Sequence, residues 1–104
     1  MTISEADANT KLARWQQHST NLVAQITIDG SLTVLTAARI GGLLGNRVIL
    51  RFPKGQVNVA LSEATFEDES IENDSLTIKF SASSSCSLEE REPIDNEWPS
   101  LIGA

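Results

Sequence analysis

The chain has 104 residues, 40% apolar and 21% charged, with a net charge of −6, which fits one soluble domain with its own core and excludes two. Three Phe, two Trp and no Tyr leave a core of Val, Ile, Leu and Ala, a composition that favours strands over an aromatic-lined cavity. The single Cys86 excludes an internal disulfide, and neither a basic leader nor an apolar run near ~18 residues is present, so a cytoplasmic protein without membrane contact is expected.

The first element is a helix over 3–18. Ser4 is a good N-cap, Glu5 and Asp7 fall in the positive first turn, and Ala8, Leu12 and Trp15 recur at i, i+4, i+7 as one narrow apolar stripe. Asp7 and Lys11, four apart, are expected to pair on a more exposed face. So thin a stripe must dock on a sheet.

Asn21–Asp29 and Ser31–Ala38 read as a hairpin. Asp29-Gly30 suggests a two-residue turn, but that turn sets Ile28 against Ser31. A three-residue loop sets Ile28 against Leu32 and Ile26 against Val34, keeping one face apolar, and is preferred, with a bulge taking up the extra residue. Arg39–Asn46, RIGGLLGN, reads as a glycine-rich corner between strands rather than a ligand cradle, since neither phosphate-loop spacing is met. An exposed Leu43-Leu44 tip would serve as a protein contact.

Arg47–Leu61, RVILRFPKGQVNVAL, is the clearest hairpin. Val48, Leu50 and Phe52 alternate before the turn, and Val57, Val59 and Leu61 after it. A turn at Lys54-Gly55 sets Phe52 opposite Val57, Leu50 opposite Val59 and Val48 opposite Leu61. The inward parity then shifts to Ala64 and Phe66, with a strand end or bulge near Ser62-Glu63. Glu67–Ser75 reads as a solvated acidic loop without calcium-loop spacing. Leu76, Ile78, Phe80 and Ala82 make a strand to about Ala82, with an edge extension through the serines to Leu88. From Glu89 the tail is acidic and broken by Pro93 and Pro99. Flexibility is expected for most of it, with Trp98, Leu101 and Ile102 docking back on the domain or on a neighbour.

The fold expected is therefore mainly β, α+β at the margin: an antiparallel barrel-like or curled sheet of five to six strands with one N-terminal helix. Residues 1–88 form the domain (helix 3–18, β-rich 21–88), and 89–104 form the tail.

Little chemistry is encoded. His18 is the only histidine and suits a helix C-terminus; no Gly-x-Ser-x-Gly elbow nominates a serine to join it. Cys86 has no basic neighbour in sequence to activate it. No catalytic residue, metal ligand or cofactor is nominated. The coherent set is Arg39, Arg47 and Arg51. Arg47 and Arg51 share a strand face about 13–14 Å apart, at ~3.3–3.4 Å rise per residue, which suits an extended anion or an acidic segment.

Charge is divided along the chain, +3 over residues 1–62 and −9 over 63–104. Nucleic acid is thereby disfavoured, and contact between the two halves, within the fold or between copies, is favoured. The function expected is a small non-catalytic interaction or assembly module, a homodimer or a binder of another protein. The ligand or partner surface is Arg39, Arg47, Arg51, Leu43, Leu44 and Trp98. The alternative is a small-anion or nucleotide sensor using the arginine face beside the glycines.

Overall fold

The computed structural model describes residues 1–68, 70 and 73–92. In chain order these form β1 (Thr2–Ile3), α1 (Glu5–Gln17), β2 (Leu22–Ile28), β3 (Leu32–Leu44), β4 (Arg47–Phe52), β5 (Gly55–Ala60), β6 (Thr65–Glu67), β7 (Ser75–Lys79) and β8 (Ser85–Glu90). All strands join one antiparallel sheet in the order β1-β6-β7-β8-β2-β3-β4-β5. The fold is mostly β with one helix, as expected, and the strand count among the described residues is eight rather than five or six.

Ser4 caps α1 by accepting the Asp7 backbone N–H at 3.1 Å, and His18 closes the C-terminal end, each cap satisfying backbone groups that the helix leaves open. Ala8, Leu12 and Trp15 are fully buried against the inner face of the sheet, where they meet Leu22, Ala24, Ala38, Ile40, Val48, Leu50, Leu76, Ile78 and Leu88. Trp15 also donates its indole N–H to Glu90 Oε1 at 2.8 Å.

The short link 61–64 between β5 and β6 fixes the sheet's shape, because six spacings of ~4.8 Å separate these strands in the sheet order, about 29 Å if flat. Five Cα steps reach only ~17–18 Å. The sheet must curl around the helix, without closing into a barrel. Leu61, buried in this link, donates its N–H to Asn46 O at 2.7 Å.

The β2–β3 register is the apolar-matched one, Ile28 with Leu32 and Ile26 with Val34. Its extra residue is absorbed by a three-residue loop in which Asp29 and Gly30 both take positive φ. The β4–β5 hairpin differs from expectation by two residues: Phe52 pairs with Gly55, Leu50 with Val57 and Val48 with Val59. The turn is Pro53-Lys54, with the ring of Pro53 presetting φ for the first central position. A shift of two preserves the faces.

Three further expectations are corrected. The glycine-rich segment is no corner: β3 runs through Gly41-Gly42 with a bulge between Ile40 and Gly42, and reverses only at Gly45-Asn46. A Cβ on Gly41 would lie 2.6 Å from Arg51 Cγ, so the bare backbone there makes room for the arginine stem. The strand expected to continue past Ala82 instead ends at Lys79; the chain turns and returns as β8, pairing Ile78 with Cys86 and Leu76 with Leu88. β8 runs to Glu90.

The third concerns Lys11, which is buried and does not serve an exposed pair with Asp7. Its ammonium donates to Asp68 Oδ2 and Asp74 Oδ1, both at 2.6 Å, and to Ser75 O at 2.9 Å, which uses all three donors. Arg14 also pairs with Asp74. Part of the acidic loop is therefore clamped to the helix rather than solvated, and the two oppositely charged halves of the chain meet within the fold. The expectations for Trp98, Leu101, Ile102 and the tail from residue 93 lie outside the described residues.

Candidate interaction surface

The surface arises from a mismatch between helix and sheet. At 13 residues, α1 is about 20 Å long; it packs against β3 and β6, and its stripe shares the core with Leu22 and Ala24 at the start of β2. Alternation continues on the same inner face through Ile26 and Ile28 and, across the register, Leu32 and Val34. Ile28, Leu32 and Val34 are 46%, 55% and 44% exposed. Among the described residues these three lie exposed on the inner face, which makes it the candidate contact surface.

Between these residues and the β4–β5 turn lies a cleft of about 510 Å³. Ile26, Val34, Thr36 and Phe52 line it, with Pro53 and Lys54 at its rim. Its wall is largely hydrocarbon, with no pair of titratable groups facing each other across it. It can bury an apolar side chain, and its polar side chains are those of Thr36, Lys54 and Gln56.

Alongside runs β5, the last strand of the sheet, which among the described residues pairs with β4 alone. Its sequence, Gly55-Gln56-Val57-Asn58-Val59-Ala60, has no charge and no proline, and its pairing with β4 has no register shift. Every residue except Val59 is exposed. The other edge of the sheet ends in the two-residue β1.

The arginines occupy the opposite, outer face. Arg39 and Arg51 are directly opposite partners across β3–β4, and Arg47 lies farther along β4 beyond Ile49. Arg39 is half-buried and donates twice to Asn21 Oδ1, at 3.1 and 2.9 Å, while Arg47 and Arg51 are exposed. Leu43 and Leu44 do not form a shared tip, because strand alternation separates them: Leu43 packs against the core, and Leu44 is 61% exposed beside Arg47. Trp98 is outside the described residues. The nominated residues therefore gather on the outer face in part, and the apolar cleft was not among them. The sequence signal for it was present: β2 and β3 carry inner-face apolar residues beyond the reach of a three-turn helix.

The remaining chemistry is structural. Cys86 is buried between Ile26 and Ile78 in the register, and burial pushes its thiol up to about 12, leaving it protonated and unreactive. The hydrogen bond from Lys11, followed by those from Ser70, holds the Asp68 carboxyl well below the usual carboxylate range. Between Asp68 and Asp74 the positive charge is the Lys11 ammonium. Among the described residues there is no cluster of three or more His, Cys, Asp or Glu able to hold a metal, and no helix long and apolar enough to cross a membrane.

No protein-family model, curated protein or solved structure matches this chain.

Proposed function

We propose that the protein is a non-catalytic interaction and assembly module that self-associates through the inner-face cleft and the strand edge beside it. The observation that carries this reading is the exposure of Ile28, Leu32 and Val34 on the face that elsewhere forms the core. Burying a side chain of this size is worth about 1.5–3 kcal/mol, so a partner that covers the patch gains a driving force the isolated chain leaves unused. Light-scattering chromatography of the full chain and of Val34→Asp tests it. A wild-type dimer weakened by Val34→Asp supports the reading. A wild-type chain that is monomeric at every concentration removes self-association.

A second reading, binding of a small anion, is favoured by the Arg39–Arg51 cross-strand pair. Arg51 is exposed on the same face as exposed Arg47, and guanidinium groups present planar forked donors that suit an anion. Calorimetric titration with inorganic pyrophosphate, compared between wild type and Arg51→Ala, decides it. Equal heats in the two proteins count against this reading.

A further inference from the structure

We infer that β5 pairs antiparallel with β5 of a second copy about a two-fold axis at Asn58, so that the open edge becomes the centre of a continuous dimer sheet; this deepens the assembly reading above and rests on it.

The hydrogen-bond pattern of the edge selects the register. Pairing of Phe52 with Gly55, and the bond from Leu61 N–H to Asn46 O, mark the odd-numbered residues of β5 as those bonded to β4. Bonding residues alternate along an antiparallel strand, so Gln56, Asn58 and Ala60 direct N–H and C=O outward. One antiparallel arrangement uses all of them: Asn58 against its own copy and Gln56 against Ala60 of the second copy, roughly six backbone hydrogen bonds in total. In that arrangement directly opposed residues have the same parity. Val57 then stands beside Val59 of the second copy on the inner face, and the two apolar clefts open on the same side.

A second copy fits this edge better than a foreign strand for three reasons. The edge lacks the usual protections against pairing, namely charge, proline, bulge and brevity. At the axis the side chain is an amide, which both donates and accepts and so complements itself. The register also sets the Pro53-Lys54 turn of one copy alongside the Ser62-Glu63 turn of the other, placing exposed Lys54 near exposed Glu63 at both ends. On the outer face, Arg51 and Arg47 of the second copy stand three strand spacings apart, about 14 Å, beyond the ~8–10 Å screening length at ~0.1–0.15 M salt. Assembly stops at two, because among the described residues the other edge of the sheet is the two-residue β1, too short to pair as β5 does.

The test is sedimentation equilibrium on the full chain. Asn58→Lys sets two ammonium groups against each other at the axis without touching a bond to β4. It is expected to raise the dimer dissociation constant at least about tenfold, with an unchanged circular dichroism spectrum. A second pair of variants guards against a folding artefact. Lys54→Glu and Glu63→Lys each weaken their own homodimer by opposing like charges at both ends, and an equimolar mixture recovers a dimer, because each end then pairs opposite charges. A dimer indifferent to Asn58→Lys but weakened by Val34→Asp overturns the edge pairing and leaves the assembly reading standing. A monomer in every variant and in wild type overturns both.

Discussion

The ammonium of Lys11 lies 2.6 Å from the Asp68 carboxylate, joining the N-terminal helix to a loop 57 residues later in the chain. This bond depresses the folded-state pKa of Asp68. Its stabilisation is therefore complete above the ordinary carboxylate pKa of about 3.9 and is lost as pH falls toward the lower folded value. Asp68→Asn should be less stable than wild type at neutral pH, with the difference shrinking in acid. Urea denaturation at neutral pH and in steps below about pH 4 measures it; a constant difference would contradict the assignment.

Lys11→Met retains much of the stem packing but removes the ammonium that lies between Asp68 and Asp74, leaving Arg14 on Asp74. A charged hydrogen bond contributes about 1.5–3 kcal/mol, and a loss on the order of 2 kcal/mol is expected in chemical denaturation. A stability equal to wild type would show that the clamp is ornamental.

Trp15→Phe deletes the donor to Glu90 and part of a fully buried ring. A smaller ring and an unpaired carboxylate at the rim should together cost about 2–4 kcal/mol, combining cavity and hydrogen-bond losses. Restoring full stability by adding Glu90→Leu would identify the orphaned carboxylate as the main cost.

Cys86 should resist a thiol reagent at neutral pH in the folded protein and react at the ordinary rate after denaturation, because burial raises its pKa. Rapid labelling of the native state would show that β8 opens readily.

Proline at two adjacent positions of β5 reads the edge directly. Val57→Pro removes a backbone donor to Leu50, whereas Asn58→Pro removes one that faces outward. The first should be less stable than the second by about 1–3 kcal/mol, the cost of an unsatisfied buried group. Equal losses, measured by thermal denaturation at a concentration where the chain is monomeric, would contradict the strand alternation.

The faces of the sheet were more legible in the sequence than its pairings. Ile26, Ile28, Leu32 and Val34 alternate clearly enough that burial chose between two turns, and the chosen register is the one observed. In the next hairpin both registers keep the same residues inside, so alternation could not separate them, and the proline turn decided. Serines 81, 83, 84 and 85 have too little hydrophobic contrast to announce a reversal, which hid the β7–β8 turn. Strand β1 and the Lys11 clamp depend on partners more than 50 residues away, beyond the reach of any local pattern. The arginine face was visible as spacing. The cleft was not, because it is defined by what a short helix fails to cover.

The strand order has a consequence for how the chain finds its fold. Strands β2 to β5 and β6 to β8 each form a meander of sequence neighbours, which closes with short loops and little entropy loss. The two meanders join along β2 and β8, where Leu22 meets Glu90 across most of the chain. The cost of bringing distant segments together is concentrated in that one seam, with the minor β1–β6 contact beside it. Zipping of β8 onto β2 is therefore the step expected to limit the folding rate, and the helix, whose Trp15 donates to Glu90 at the seam's end, ties that seam once it has formed.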